Sequence, residues 1–370
     1  METVKIIPLG RLSTKLSLYL RDAQMEAARV WNYCCELHKA ARSNRARWPN
    51  RDDLQRATKG RFKLHSRTVQ MIAHQLLDNV ETTRKLCREH PGMGVKYPWR
   101  TKGYFTLIWP ARAVSIKGNR VILPMGRGRK SIFFKGIDMP DGPGACKIVW
   151  RGGHELHVSH ACPQMKSDRT DSSAVHACVD PGEIHQCAVA TSTGDAPVVS
   201  GRGVRALRRQ DNKAPGQILR KRSRCKKGSR RYRKLNYTMD KIGGRIERRI
   251  RDLKHKGTRK VIAFCEETGV LKLYIGDPDG VQKKRSGRYH NQRMSQWAFG
   301  QDIDYLQYKS EIAGIESFTW TERGTSNRCP RCGHTQKVRA RGWACLSCGV
   351  TGHRDMVGAV NMHPLALTKM

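Results

Sequence analysis

The stretch Cys329-Pro-Arg-Cys332, Cys345-Leu-Ser-Cys348, His353-Arg354-Asp355 carries the clearest structural information in this chain. Its two Cys-x2-Cys knuckles stand twelve residues apart, a spacing that lets four thiolates surround one tetrahedral Zn²⁺. Four protein ligands leave no open coordination position, so we interpret this zinc as structural. Asp355 is not needed for zinc, and it opens a run with helical character. The sequence therefore predicts a zinc ribbon directly ahead of a carboxylate that has a separate role.

The composition indicates a polyanionic partner. Lys and Arg number 71 against 31 Asp and Glu, a formal net charge of +40. Self-repulsion at this charge disfavours a compact state unless counter-charge is bound. No run approaches the roughly 20 apolar residues of a membrane-spanning helix, so nucleic acid is favoured over a membrane. The nine cysteines outside the knuckles show no framework spacing, which favours a reduced, cytoplasmic compartment.

The front part of the chain predicts a pair of helices between strands. Apolar residues follow helical spacing from Asp22 to Lys39 and again from Ser66 to Arg88. Short runs rich in aromatic and β-branched residues then lie between 104 and 159, separated by Gly, Pro or Asn. They are typical of short antiparallel strands. A hydrophilic joint at 163–173 predicts the end of this part.

The rear part predicts a sheet with long basic helices. A strand ends on Asp180 and turns at Pro-Gly into a second strand, a hairpin. Residues 201–260 hold 24 Lys or Arg against 4 acids, with apolar residues interleaved, and predict long helices. Residues 271–277 and 315–322 are predicted strands, and 301–314 a helix between them.

In their order and spacing these motifs resemble the TnpB family of transposon-encoded, RNA-guided nucleases. The block 175–182, the basic segment that ends near His255, and the cysteine knuckles followed by His353-Arg354-Asp355 carry the resemblance. It covers about residues 170–365, and it extends to compact type V CRISPR effectors. The resemblance implies an RNase H-like (RuvC) domain whose acids hold two Mg²⁺ for phosphodiester hydrolysis.

The family's second catalytic acid is missing from its usual strand. Where a glutamate is expected, this chain has Gly276, and the neighbouring Asp277 is expected to point to the opposite face of the strand. One branch of the family, similar to Fanzor proteins, carries the glutamate on a later strand, and Glu322 matches that position. We therefore predict Asp180, Glu322 and Asp355 as catalytic, Mg²⁺-binding residues.

Simpler roles stay open for these acids. Asp180 could cap a turn, and Glu322 could be an exposed acid at a strand end. Glu266 and Glu267 are rival candidates for the second catalytic position, although we expect them to follow a helix that ends at Cys265.

The resemblance implies an α+β architecture. A wedge-like β-barrel (1–20 and 91–165) would be interrupted by a helical recognition lobe (21–90). A RuvC-like α/β nuclease domain (170–324 and 350–370) would follow, with the zinc ribbon (325–349) inserted as a target-nucleic-acid-binding element.

The expected partners are a guide RNA and double-stranded target DNA, held through backbone contacts in a basic channel. Mixed aromatic and cationic residues suit stacking on nucleotides, although Trp99 could equally belong to the core. The predicted nucleic-acid contacts are Arg230, Arg231, Arg248, Arg249, His255, Tyr97, Trp99 and Arg100. We expect a prokaryotic cytoplasmic protein that works at the nucleoid, and we prefer a monomer to a dimer.

The leading functional hypothesis is an RNA-guided, Mg²⁺-dependent endonuclease that cuts complementary DNA next to a short flanking motif. Loss of the usual glutamate at Gly276 favours an alternative, a nuclease-inactive repressor that only binds DNA under RNA guidance. A compact type V CRISPR effector is a second alternative. A simple zinc-ribbon DNA-binding factor would explain the cysteines and the charge but not the order of the acids.

Overall fold

A computed structural model describes residues 2–163, 175–278, 280, 287–322, 324–338 and 340–363. The chain divides into two compact units, Glu2–Cys162 and a second unit that begins at Pro163. The division falls at the start of the hydrophilic joint predicted from the sequence. None of the helices in these described ranges combines the length and the apolarity needed to cross a membrane.

The first unit holds the predicted helical pair and the predicted short strands. Its helices are α1 (Thr14–Ser43), α2 (Arg51–Thr58) and α3 (Ser66–Glu89). Its strands are β1 (Glu2–Pro8), β2 (Leu107–Trp109), β3 (Ser115–Lys117), β4 (Arg120–Leu123), β5 (Ile132–Lys135), β6 (Pro143–Trp150) and β7 (His154–Ala161).

Capping side chains explain where two of these helices begin. At α1 the Ser13 hydroxyl accepts a hydrogen bond from the Leu16 backbone N–H. At α2, Asn50 and Asp53 form a reciprocal capping box. Each cap satisfies N–H groups that the first helical turn leaves unpaired. We did not predict α2, because in eight residues it buries only Leu54 and Thr58.

The strands of the first unit do not close into the expected wedge-like barrel. The described strands form a four-stranded sheet, β1-β7-β6-β2, and a separate three-stranded sheet, β3-β4-β5. A barrel requires its last strand to pair with its first. Strands β2 to β5 are only three or four residues long, too short to carry the ladder round a cylinder. The predicted barrel is therefore wrong; the helices and both sheets instead share one core.

The second unit confirms the predicted hairpin, the long basic helices and the two later strands. Its helices are α4 (Arg202–Ser223), α5 (Arg230–Glu267), α6 (Arg288–Gln296), α7 (Phe299–Ile312) and α8 (Arg354–Asn361). Its strands are β8 (His176–Pro181), β9 (His185–Thr191), β10 (Val198–Ser200), β11 (Lys272–Asp277), β12 (Glu316–Thr321), β13 (Gly342–Ala344) and β14 (Thr351–His353).

Five of these strands form one mixed sheet in the order β10-β9-β8-β11-β12. The pairs β10–β9 and β9–β8 are antiparallel, whereas β11 runs parallel to both β8 and β12. Parallel strands end at the same edge of a sheet. The carboxyl ends of β8, β11 and β12 therefore lie side by side.

The two faces of this sheet have different partners. Val179 and Ile275 point to one face and join a core with Ile262 of α5 and Leu306 of α7. Side chains alternate along a strand, so the residues between them point to the opposite face. There Ala188 and Ala190 of β9 pack against Ala359 of α8. This second face, which we call the α8 face, carries Asp180.

A buried ion pair ties α5 to α7 behind the sheet. Lys254 donates to the Asp302 Oδ2 atom at 2.9 Å, and both side chains are 3% exposed. The Gln186 side chain donates to Asp302 Oδ1 and to the Lys254 carbonyl, both at 3.0 Å. Gly257 makes room for this amide, because a Cβ there would lie 1.9 Å from Gln186 Oε1.

We expect Asp302→Asn to lower the free energy of unfolding by about 3–5 kcal/mol, because the Lys254 charge would stay buried without its counter-ion. Urea-induced unfolding of the full chain measures this change. The matched control is Asp252→Asn, which breaks an exposed pair with Lys256 and should cost less than about 1 kcal/mol. Equal costs for the two variants would contradict a stabilising role for the buried network.

Candidate active site

Three carboxylates from distant parts of the chain converge at the carboxyl edge of the sheet. Asp180 is near the end of β8, Glu322 directly follows β12, and Asp355 lies in the first turn of α8. Asp180 and Glu322 each influence the ionisation of the other, and Asp355 influences that of Asp180. The fold therefore brings together the three acids predicted from the sequence.

The Glu322 side chain occupies the space above Gly276. A Cβ atom built on Gly276 would lie 2.9 Å from Glu322 Oε2, 3.0 Å from Met362 Cε and 3.1 Å from Pro181 Cδ. A side chain at position 276 would therefore have to displace the Glu322 carboxylate and press on Met362 and Pro181. Glycine at 276 and glutamate at 322 are thus sterically coupled: the later strand supplies the carboxylate where the earlier strand has none.

A second glycine allows α8 to approach Asp180 closely. A Cβ on Gly358 would lie 2.5 Å from Asp180 Oδ2. Because α8 also carries Asp355, the small residue at 358 permits the helix to bring its own acid towards the strand acid. The sequence signal for this contact is the glycine three residues after Asp355, within the apolar run 356–360.

The electrostatics of the cluster favour a cation. Burial raises the pKa of Asp180, and the nearby Asp355 carboxylate raises it further. Burial and then the Asp180 charge raise the pKa of Glu322. The buried Glu322 Oε2 atom has no hydrogen-bond partner among the described residues. The negative charges of these carboxylates repel one another when all are ionised. A divalent ion such as Mg²⁺ prefers hard oxygen ligands and would offset this repulsion.

Asp355 is held by two side chains that the sequence did not single out. Its Oδ2 atom lies 2.8 Å from His185 Nδ1 and accepts a hydrogen bond from Arg341 at 3.1 Å. The His353 ring accepts from the Asp355 backbone N–H at 3.2 Å and caps α8. The tight hairpin after Asp180 is the signal that could have identified His185, because it returns the chain to the same edge. Arg341 has no comparable local signal.

The four cysteines form one cluster, as their spacing predicted. The Sγ atoms of Cys329 and Cys348 lie 3.6 Å apart, and those of Cys332 and Cys345 3.5 Å apart. Such separations suit four thiolates about 2.3 Å from one tetrahedral zinc ion. Backbone N–H groups of Ser347 and Cys348 donate to the Cys345 sulfur, as second-shell donors do at zinc sites.

Helix α8 is tied to the chain that enters this cluster. The Asn361 side-chain amide donates to the carbonyls of Thr325 and Arg328, at 2.7 and 2.6 Å. The residue is 7% exposed. Asn361 therefore joins the helix that bears Asp355 to the segment between Glu322 and the first zinc ligand.

We expect Asn361→Ala to leave two carbonyls without their donor and to destabilise this junction by about 1–3 kcal/mol. Hydrogen exchange of the backbone amides of residues 324–329 should become faster by the factor that corresponds to this loss of about 1–3 kcal/mol. The control Asn236→Ala removes a side-chain amide from α5 that accepts from Arg222 and should not change these amides. Unchanged exchange in Asn361→Ala would show that the two hydrogen bonds do not hold the junction.

The predicted basic contacts lie on α5, and their role stays a prediction. Arg230, Arg231 and Arg249 are exposed and Arg248 is half-buried. His255 differs from them: its ring stacks on Tyr305 with centroids 4.0 Å apart. Burial lowers the pKa of His255 to about 4, so the ring is neutral at pH 7. His255 thus packs from α5 against α7 and is half-buried.

The predicted aromatic contacts of the first unit lie at the edge of its core. Tyr97 and Trp99 stack with centroids 4.9 Å apart, and Trp48 contacts both rings. The Arg42 guanidinium lies over both rings, and Arg100 is exposed. Both rings are half-buried and pack against the core, so Trp99 contributes to the core, the alternative role considered for it.

The rival acids lie at the other edge of the sheet. Glu267 ends α5, a few residues before β11 begins, and Glu266 pairs with Arg259 at 3.1 Å. The helix thus continues two residues beyond the predicted end at Cys265. Asp277, the last residue of β11, lies near enough to raise the pKa of Glu322.

Two family models match parts of the chain. A family model described as "Probable transposase" (OrfB_IS605) matches residues 159–282, and a model described as "Cas12f1-like, TNB domain" matches residues 299–362. A TnpB-like protein of Methanocaldococcus jannaschii is 26% identical over 140 residues. The chain is thus similar to TnpB-like proteins over part of its length.

A second relative also matches over a limited region. A Mycobacterium tuberculosis protein, named provisionally as an RNA-guided DNA endonuclease, is 27% identical over 153 residues. The matches cover 37% and 40% of this chain, and they span 50% of the archaeal relative and 32% of the mycobacterial one.

A solved structure supports the fold of this chain. A cryo-EM structure of a Cas12f1–sgRNA–target DNA complex matches with a TM-score of 0.66 at 14% identity. The match covers 95% of this chain and 84% of that chain. The mixed α/β fold of this chain is thus similar to that of Cas12f1.

Proposed function

We propose that the chain is an RNA-guided DNA endonuclease that cuts complementary DNA next to a short flanking motif. The observation that carries the proposal is the Glu322 carboxylate above Gly276, beside Asp180. It restores an acid at the point where the sequence pattern of the family would otherwise be broken. Three carboxylates at one sheet edge are the donor set that phosphodiester hydrolysis needs.

The strand order supports the proposal. The sheet has three antiparallel strands followed by two parallel ones, β10-β9-β8-β11-β12, and this mixed order supports an RNase H-like (RuvC) domain. The first acid lies on the central strand β8 and the last on a helix packed against it. The zinc ribbon lies in the chain between the second and third acids, as the resemblance implied.

Asp180, Glu322 and Asp355 would hold the Mg²⁺ ions, which supply charge neutralisation at the phosphate and activation of water. His185 and Arg341 both contact the Oδ2 atom of Asp355 and so restrain its carboxylate. The exposed cations of α4 and α5 would meet the phosphates of a guide–target heteroduplex, for which backbone contacts are sufficient.

Reconstitution tests the proposal. RNA that copurifies with the protein is sequenced, and the loaded protein is given plasmids with a matching target beside a randomised flank. We expect cuts only in matched targets, only next to a subset of flanks, and only with a divalent ion. Cleavage in the absence of RNA would show that the protein is not RNA-guided. RNA-guided binding without cleavage would favour the nuclease-inactive repressor.

A further inference from the structure

A row of aromatic rings leads along the α8 face to the carboxylates. Phe318 and Trp320 lie on β12, and each is 38% exposed. Because side chains alternate along a strand, Phe318, Trp320 and Glu322 point to the same face. We call His176, Tyr274, Phe318 and Trp320 the aromatic row.

Ring contacts join the row across three strands. Tyr274 of β11 stacks on Phe318 with centroids 5.5 Å apart and meets Trp320 edge-on at 6.2 Å. On its other side it meets His176 of β8, also edge-on at 6.2 Å. The registers agree, since Tyr274 lies opposite Phe318 and Gly276 opposite Trp320. The row is therefore one preformed surface.

The row is continuous with the candidate active site. Tyr274 is two residues before Gly276, above which the Glu322 carboxylate lies. Trp320 is two residues before Glu322, about 7 Å along the strand. If two successive bases of a single strand stacked on Phe318 and Trp320, the phosphate that follows them would lie at the carboxylates.

The chemistry of the row favours bases over phosphates. Lys272 and Glu316 are register partners at the start of the row, and both are exposed, so their charges balance. Phe318 and Trp320 are the exposed rings of the row, whereas Tyr274 and His176 are half-buried. Exposed rings with little net charge beside them bind by stacking, which accepts any base.

We propose that the aromatic row binds the single strand that is being cut and delivers it to the carboxylates. The occupant is unpaired DNA, read by stacking and not by sequence. The proposal rests on the proposed nuclease function, which it deepens by assigning the strand's approach path.

Photo-crosslinking tests the contact. The Asp180→Asn variant, loaded with guide RNA, receives a target with 5-iodouracil at nucleotides on either side of the cut. We expect crosslinks in the peptide that holds Phe318 and Trp320, and none to Tyr289, which is 83% exposed on α6. A target cut by the parent protein but without crosslinks in this peptide would overturn the proposal.

Kinetics test the role. We expect Trp320→Ala to slow cutting of a bound target about tenfold, with the target Kd unchanged and the loss independent of salt. Trp320→Phe should retain most of the rate, and Tyr289→Ala all of it. If Trp320 only supported Glu322, Trp320→Ala would instead raise the Mg²⁺ concentration needed for half-maximal rate. If Trp320 only supported the fold, Trp320→Ala would lower Tm. Comparison with Trp320→Phe would then separate the loss of stability from the loss of stacking.

A further experiment distinguishes a failure of the proposed nuclease function from a failure of the proposed single-strand site. If the parent protein neither cuts nor binds a guided target, 5-iodouracil in an unguided single-stranded oligonucleotide is used as the probe. Crosslinks in the β12 peptide would then keep the row as a single-strand site, and their absence would remove it.

Discussion

Glu322→Gln should lower the cleavage rate of the RNA-loaded protein by about a thousandfold or more, with target binding unchanged. The substitution keeps the size of the side chain but removes the charge that a divalent ion needs beside Asp180. Single-turnover cleavage at saturating target measures the rate, and a filter-binding assay measures the Kd.

The matched control for this variant is Asp277→Asn. Asp277 is the last residue of β11, and its charge raises the pKa of Glu322 through space. We expect its loss to change the rate by less than about tenfold. A larger loss for Asp277→Asn than for Glu322→Gln would transfer the catalytic role to Asp277.

A transfer variant tests the steric coupling of positions 276 and 322. Gly276→Glu alone should disturb the site, because its Cβ would meet the Glu322 carboxylate at 2.9 Å. In the double variant Gly276→Glu/Glu322→Ala, the Glu322 carboxylate no longer blocks the new side chain. Only the contacts with Met362 and Pro181 remain. We expect this pair to recover part of the activity that Glu322→Ala loses. Equal inactivity of the pair and of Glu322→Ala would argue against an exchange of roles.

Removal of zinc should abolish cleavage, with a loss of at least about a hundredfold. The ribbon lies between Glu322 and Asp355, and Arg341 of the ribbon donates to Asp355 directly. The Arg354 backbone N–H also donates to the Arg341 carbonyl at 2.9 Å. Zinc binding contributes about 10–16 kcal/mol to the folding of small structural sites, so the ribbon should unfold without the metal.

Cys345→Ser and chelation are the two ways to make this test, with zinc content measured on the same sample. Cys225→Ser is the control, because Cys225 lies outside the cluster and is only half-buried. Full cleavage by protein shown to be free of zinc would separate the ribbon from the carboxylates.

Much of the second unit could be predicted from local sequence. The strand that ends at Asp180, the basic helices and the cysteine spacing are all local patterns, and each element forms where its pattern predicted. Glu322 was predicted because the predicted strand 315–322 ends at that residue and the family it resembles has a branch with a relocated acid. The closed barrel of the first unit was predicted wrongly, since short alternating strands do not specify whether a sheet closes.

The sequence by itself determined the inventory of the site: three acids in order along the chain, four thiols in two knuckles, and a large excess of positive charge. Only the tertiary structure decided how they meet. The Glu322 side chain above Gly276, the approach of α8 through Gly358, and the hold of His185 and Arg341 on Asp355 join residues far apart in sequence. Such contacts arise from the parallel pairing of β8, β11 and β12, and no local pattern encodes the distance between their ends.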